Sequence, residues 1–259
     1  MLNSVEKTMT ILTAISDVYG DSITLDELYR KTNINKSTCV HVLNTLRESG
    51  FVERISRMKG YRLGPATFYL TRYGRFQEDL IQICHPMLKW LNLKVGQTSL
   101  LAVIHENKKF IIHFVEGSRK LSERKTNLIL GNIYSTATGR VMLANMDKRG
   151  ILDFYKTNGL PTQEQWPNID SSKKLFKELD IIKNQGIAIV TKEVGNLFDI
   201  SYASDINNGH KSIGAVGLSK FYNTVVDPDD KEHKLVINHL KACTKEINRR
   251  LTYAIEKND

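Results

Sequence analysis

The sequence predicts an α+β protein: an N-terminal winged helix-turn-helix joined by a linker helix to a C-terminal α/β domain. Three observations predict it. The first 64 residues read as helix, helix, turn, helix, strand, basic turn and strand. Gly64-Pro65 then breaks the chain and opens a new helix. From Thr98 onward apolar strand-like runs alternate with helical patterns. The boundaries that follow are 1–64 for the first domain, 65–79 for the linker helix and 80–259 for the second domain.

The first helix is expected from about Ser4 to Tyr19. Val5, Leu12, Ile15 and Tyr19 recur at near-helical spacing, Met9 stands one turn before Leu12, and Gly20-Asp21 ends the run. Thr24-Leu25-Asp26-Glu27 has the form of a capping box. In that motif the Thr24 hydroxyl accepts from the Glu27 N–H while the Glu27 carboxylate reaches back to the cap. A short helix from Leu25 to Lys31 follows, and Thr32-Asn33-Ile34 is a tight connection. Asn35 or Ser37 can cap a third helix that continues to about Ser49, where Gly50 fits a C-terminal stop. Phe51 to Ile55 alternates like a strand, and Gly60 to Leu63 like its partner. A two-turn helix, a short turn and a longer amphipathic helix suit the geometry in which the second helix enters the major groove.

In the second half a long helix is expected from about Leu80 to Val95. Pro86 lies inside it and should kink or interrupt it. Ser99 to His105 and Phe110 to Glu116 are apolar runs joined across Glu106-Asn107-Lys108-Lys109, a hairpin. Helices are expected at Gly139 to Met146, Lys148 to Thr157 and Ser171 to Gln185. Strands follow at Ile187 to Val190, Ile200 to Ile206 and Ser212 to Phe221, the last two joined across Asn207-Asn208-Gly209. A final helix opens at Asp227-Pro228 and carries Val236, Leu240, Ile247 and Leu251 on one face.

Composition narrows the class. Of 259 residues, 41% are hydrophobic and 25% charged, enough for a buried core and too apolar for disorder. No run approaches the roughly 18 apolar residues of a membrane span. The N-terminus lacks a signal-peptide pattern, so a cytoplasmic protein is expected. Cys39, Cys84 and Cys243 lie far apart, fit no zinc spacing and read as small buried residues. The formal net charge of +9 suits a polyanionic partner. The first 75 residues hold 11 Lys or Arg against 7 Asp or Glu.

On the third helix Val40, Leu43 and Leu46 recur at i, i+3, i+6 and should pack inward. Lys36, Ser37, Thr38, His41, Asn44 and Thr45 are left to face out. Short hydroxyls and a lysine at a helix start suit phosphate and base-edge contact, and the N–H groups there attract phosphate. His41 or Asn44 can reach a base edge. The strand pair that follows carries Arg54, Arg57, Lys59 and Arg62, suited to phosphate or minor-groove contact. A solvated helix face and a solubilising charged hairpin are the competing readings. Specific binding by such a domain usually needs two copies about one helical turn, roughly 34 Å, apart, so a homodimer is expected.

In the second half Ser135-Thr136-Ala137-Thr138-Gly139 begins a helix. Hydroxyls and N–H groups converge there, and the helix dipole favours an anion. A small carboxylate would fit; plain N-capping by Thr136 or Thr138 is the alternative. His105 and His113 fall on strands, His233 and His239 lie six apart, and no metal or cofactor is assigned. There is no phosphate loop, no dinucleotide Gly-rich turn and no nucleophile elbow.

These residues resemble the isocitrate lyase regulator (IclR) family of bacterial transcription factors, over nearly the whole chain. The likeness lies in Ser4-Val5-Glu6-Lys7, in Lys36-Ser37-Thr38 followed by Leu43, Thr45 and Leu46, and in Gly50-Phe51-Val52-Glu53-Arg54 and Tyr61-Arg62-Leu63-Gly64. It continues in Thr136-Ala137-Thr138-Gly139-Arg140-Val141-Met142-Leu143-Ala144, Gly186, and Ile213-Gly214-Ala215-Val216-Gly217-Leu218-Ser219. The chain departs from the family at His41, where an arginine is common, and at Phe198-Asp199-Ile200, where Arg-Cys and a small apolar residue are common. The resemblance implies a GAF-like effector domain, with effector contacts near Ala137 and Thr138, on the loop near Asp199, and at Gly217 and Ser219. It also implies repression of a double-stranded DNA operator and association of two dimers. An Asp199 carboxylate facing the pocket would repel an anion unless paired or protonated. The expected effector is thus an organic acid or a sugar-like metabolite. Two rival readings stay open on the residues alone: an enzyme built on the α/β domain, though Ser219 near Asp199 has no evident histidine base, and a sensor that does not bind DNA.

Overall fold

Short helices with one apolar face each must bury those faces against one another. In the first unit, residues 1–76, that burial builds the core. The computed structural model describes residues 3–18, 22–56, 58–72, 77–117 and 133–257. Helices α1 (Asn3–Ser16), α2 (Leu25–Thr32) and α3 (Lys36–Glu48) precede strands β1 (Val52–Ser56) and β2 (Gly60–Leu63) and helix α4 (Pro65–Thr71). Ile11, Ile15, Leu28, Cys39, Leu43, Leu46 and Val52 form the buried cluster. The capping box forms as expected: the Glu27 N–H donates to Thr24 Oγ1 at 3.3 Å, and the Thr24 N–H donates to Glu27 Oε2 at 2.9 Å. Asn33, with φ 56°, closes α2. Tyr19, Gly20 and Asp21, expected to end the first helix, lie outside the described residues.

On α3 one of the two expected caps forms, and the inward stripe differs from expectation. Asn35, not Ser37, is the cap: its Oδ1 accepts from the Thr38 N–H at 2.8 Å and from the Ser37 hydroxyl. The inward stripe is Cys39, Leu43 and Leu46, while Val40 is only half-buried. At 3.6 residues per turn, positions 40 and 46 point about 120° apart, whereas 39 and 46 differ by about 20°.

The second unit, residues 77–259, holds a five-stranded antiparallel sheet of order β4-β3-β7-β6-β5. Its strands are β3 (Ser99–His105), β4 (Lys108–Val115), β5 (Ala188–Val194), β6 (Leu197–Asn207) and β7 (Ser212–Tyr222). Its helices are α5 (Glu78–Val95), α6 (Ala137–Asn145), α7 (Lys148–Asn158), α8 (Ser172–Gln185) and α9 (Lys231–Glu256). Alternation along the strands sorts the two faces. Leu101, Val103, Ile200, Tyr202, Val216 and Leu218 pack with α5 and α9. Ala102, Val190, Ala203 and Ala215 pack with α6 and α8. On the central strands the α6 face carries Ala203, Ala215 and Gly217, small residues that let that helix lie close to the sheet.

Helix α5 runs through Pro86 without interruption. A proline removes one N–H from the ladder, and the burial of Leu80, Cys84, Leu88 and Leu91 holds the helix across that gap. The hairpin turn between β3 and β4 shrinks to Glu106-Asn107, both at positive φ, so Lys108 and Lys109 join the strand. The strand expected at Ile187 to Val190 extends to Val194, and β6 begins at Leu197. The final helix begins at Lys231 rather than Asp227.

Candidate nucleic-acid interface and effector site

On α3 the side chains of Lys36, Ser37, His41, Asn44 and Thr45 are exposed, and Thr38 is half-buried beside the cap. Steps of three and four residues put Ser37, His41, Asn44 and Thr45 on one face. Lys36 is already engaged: its Nζ lies 2.5 Å from Asp26 Oδ1 on α2. That contact holds the Asp26 carboxyl below its usual range. Sequence reasoning missed this pair, which joins two helices whose packing no local pattern reveals.

The wing is less uniform than its composition. Arg62 donates from Nε to Glu53 Oε2 at 2.9 Å across the strand pair, where the two residues are register partners. Arg54 is exposed, its guanidinium 5.9 Å from the Tyr61 ring centroid. Lys59 is exposed, and its backbone N–H donates to Ser56 Oγ at 2.9 Å. Arg57 lies outside the described residues. Arg54 and Lys59 are therefore the wing cations with no carboxylate within ion-pair reach among the described residues.

The second site is built around the start of α6. Thr136 caps the helix, its Oγ1 accepting from the Gly139 N–H at 3.2 Å. A side chain at Gly139 is forbidden, because a Cβ there would lie 2.1 Å from the Ile133 carbonyl oxygen. That oxygen belongs to a 3-10 turn, Ile133–Ser135, folded tightly against the helix. Buried Arg140 locks the turn. Its Nε donates to the Tyr134 carbonyl at 2.7 Å, its Nη2 donates to the Gln165 carbonyl at 3.0 Å, and its guanidinium lies 4.0 Å from the Trp166 ring centroid. Burial lowers the Arg140 pKa to about 10, which leaves it charged at neutral pH.

The sheet brings the remaining expected residues to the face that α6 covers. A Cβ on Gly217 would lie 2.6 Å from Thr138 Cγ2, so β7 needs glycine where the helix crosses it. Ser219 is two residues further on the same face, opposite Ser201. Asp199 follows Ser201 on that face of β6, opposite Lys192 of β5. Ala137, Thr138 and Ser219 are buried. Gly139 and Gly217 are thus places of close backbone approach, while Thr136, Thr138, Asp199 and Ser219 supply the polar atoms.

One residue of this region went unread in the sequence. Lys109, expected in a turn, lies on β4 opposite Ile104 and is only 4% exposed. Its Nζ donates to Thr136 Oγ1 at 3.3 Å. Burial, and then the charge of Lys192, push its pKa down to about 8. The available signal was the turn itself: Glu106-Asn107 alone closes a two-residue hairpin, which moves Lys109 into the ladder. Among the described residues no group of three or more His, Cys, Asp or Glu could hold a metal ion. No helix among them is long and apolar enough to cross a membrane.

Comparison with known proteins agrees with both halves. Residues 4–56 match the IclR helix-turn-helix domain, and residues 76–249 match the family described as bacterial transcriptional regulator IclR, C-terminal. The HTH-type transcriptional regulator KdgR of Dickeya chrysanthemi is 25% identical over 190 residues, covering 71% of this chain and 60% of that protein. The matched stretch thus spans less than two thirds of that relative's length, and the same holds for the next two curated relatives, at 52% and 62%. The crystal structure of Thermotoga maritima IclR is 24% identical, with a TM-score of 0.63 over 98% of this chain and 100% of that one. An IclR homologue from Microbacterium hydrocarbonoxydans, solved in complex with 4-hydroxybenzoate, is 15% identical, with a TM-score of 0.58 over 93% of this chain and 99% of that one. At these identities the two structures show a shared fold, while the two sequence matches take in most of the chain: it belongs to the IclR family of bacterial transcriptional regulators.

Proposed function

We propose that this protein is a DNA-binding transcription regulator that represses its target genes, and that a small metabolite bound in the C-terminal domain controls its hold on the operator. Residues 1–64 bind the duplex, 65–79 link, and 80–259 hold the effector. The observation that carries the reading is the polar outer face of α3 beside the wing cations. Ser37, His41, Asn44 and Thr45 are exposed together on a helix whose other face is anchored by Cys39, Leu43 and Leu46. In this assignment His41 and Asn44 read base edges. Lys36, Ser37, Thr38, Thr45, Arg54, Arg57, Lys59 and Arg62 contact the backbone or minor groove. The effector is an organic acid or a sugar-like metabolite held by Thr136, Ala137, Thr138 and Gly139, with Asp199, Gly217 and Ser219. The 4-hydroxybenzoate complex of the Microbacterium homologue supports a small-molecule site in this fold.

The working unit is a cytoplasmic homodimer, two of which can associate. Phe68, Tyr69 and Leu70 on α4 are largely exposed, with Phe68 75% accessible, and a second copy would cover them.

A mobility-shift titration against the DNA upstream of the protein's own gene tests the reading. Retention is expected at low salt, with release on adding the right metabolite. Replacing Arg54 and Lys59 together by alanine should reduce the slope of log affinity against log salt by about 2, one for each phosphate no longer neutralised. An unchanged slope would remove the wing from the interface, and no retention of any duplex at low salt would end the regulator reading.

A further inference from the structure

On the face of the sheet turned away from α6, two histidines meet. His85 stands on α5 and His113 on β4, 28 residues apart, so no short spacing in the sequence joins them. His113 is the register partner of Leu101, which packs with α5 and α9. It therefore lies on the opposite side of the sheet from Lys109, Thr136 and α6. His85 Nδ1 is 2.8 Å from His113 Nε2, and the ring centroids are 5.1 Å apart with the planes at 62°. One ring donates its N–H to the lone pair of the other. His85 is exposed and His113 half-buried, so the pair is open to water.

Both rings are carried by elements held firmly in place. On α5, Cys84 and Leu88 flank His85 and are fully buried. Asn92, two turns on, donates from Nδ2 to the Glu116 carbonyl at 2.9 Å and ties the helix to the end of the β4 strand. His113 sits in the ladder with β3. Little conformational freedom is left to lose when an ion binds between the two rings. Among the described residues each ring makes its only hydrogen bond to the other, and no carboxylate acts on His113. Burial, and then the neighbouring imidazole, hold the His113 pKa below its ordinary value. At neutral pH the ring therefore stays uncharged and keeps a lone pair to offer. Lys89, one turn along α5, is exposed, and water screens its charge.

We infer that His85 and His113 form a two-imidazole site for a divalent transition-metal ion, of the zinc, nickel or copper class, which clips α5 to β4. Imidazole nitrogen suits these borderline ions, whereas magnesium and calcium take oxygen ligands. With metal–nitrogen bonds of about 2.0–2.1 Å meeting at about 90–109°, two ligating nitrogens stand roughly 2.8–3.4 Å apart. The 2.8 Å between these two lies at the short end of that span, so the rings need part only slightly. The ion takes the place of the shared proton. The donating ring moves its N–H to its outer nitrogen, both inner lone pairs then face the metal, and no net proton leaves the pair. Water fills the remaining positions, which makes the site weaker than a structural site with four protein ligands. It lies across the sheet from the proposed effector site and does not depend on it.

The test uses the full chain, stripped of metal with a chelator and dialysed, without DNA. At least one of Zn²⁺, Ni²⁺ and Cu²⁺ at about 0.2 mM should raise Tm by about 2 °C or more, while Mg²⁺ at the same concentration should not. Calorimetric titration should give one ion per chain, with a dissociation constant of about 100 µM or tighter and Cu²⁺ the tightest of the three. Electron paramagnetic resonance of the Cu²⁺ form should show two imidazole nitrogens bound to the ion. His85→Ala, at an exposed position, should weaken binding about tenfold or more and leave a single imidazole in the spectrum. His113→Gln should do the same, so a folding defect in one variant leaves the other to decide. Equal binding by wild type and a folded variant overturns the inference. So does a Tm response shared by Mg²⁺, a stoichiometry of one ion for every two chains, or no binding of any of the three ions, in which case the pair is a hydrogen bond and nothing more.

Discussion

Lys109 makes the stability of the second unit depend on pH in a defined direction. Below about pH 8 its ammonium is charged in both the folded and unfolded chain, and the folded chain bears the full cost of burying it. Between 8 and the ordinary lysine value of 10.5, the folded chain has released a proton that the unfolded chain retains. Unfolding then takes up a proton, so this group makes stability rise with pH across that window. Lys109→Met should remove the rise and stabilise the protein at pH 7 by at most about 3 kcal/mol, read from urea unfolding at pH 7 and pH 10. A flat difference between the two proteins across that range would mean that the ammonium is not buried as described. Lys36 supplies a second prediction at this scale. Its exposed pair with Asp26 is worth little in water, so a phosphate can displace it. Asp26→Asn should tighten DNA binding, since it removes both a competitor and a repelling charge. Weaker binding in a mobility-shift titration would show that Asp26 positions Lys36. The residues that face solvent on α3 were legible from the sequence because their spacing alone assigns them. Lys109 and the Lys36–Asp26 pair were not, because each joins segments whose proximity is fixed only by tertiary packing.

At the scale of the element, local chemistry decided most outcomes. The capping box at Thr24 and the caps at Thr136 and Ser171 are formed by the residues whose side chains suit them. Asn35→Ala should lower stability by about 1 kcal/mol and weaken DNA binding as well, because it loosens the first turn of α3. A variant of full stability and unchanged affinity would mean that Ser37 can replace the cap. Gly139→Ala is expected to be far more damaging, because backbone and not a movable side chain meets the new methyl. Circular dichroism would show loss of folded protein or a large drop in Tm, and a change under about 1 kcal/mol would contradict the tight turn. The hairpin of β5 and β6 was only half legible. Thr191, Lys192 and Glu193 lie on an edge strand, where polar residues guard the open side, so the apolar alternation ends before the strand does. Helix α5 was legible in extent but not in continuity, since burial of Leu80, Cys84, Leu88 and Leu91 outweighed the preference of a single proline.

For the whole molecule, composition pointed to a polyanionic partner, and order of elements pointed to the fold; neither could show how closely α6 packs on the sheet, which only the folded chain fixes. Sedimentation at micromolar concentration should give a dimer. Phe68→Glu with Leu70→Glu, both exposed on α4, should shift it toward monomer and weaken operator binding together with it. A variant that stays dimeric would place the contact elsewhere. The three cysteines divide between the two halves: Cys39 lies in the first, Cys84 and Cys243 in the second, and all are buried as free thiols. Desolvation raises all three pKa values, those of Cys84 and Cys243 to about 12. A thiol reagent attacks only thiolate that it can reach. Modification by Ellman's reagent should therefore be slow at pH 8 and gated by opening of the surrounding core. Each half then carries its own built-in clock, and the rate at Cys39 against that at Cys84 and Cys243 tells which half breathes first when operator or metabolite is added.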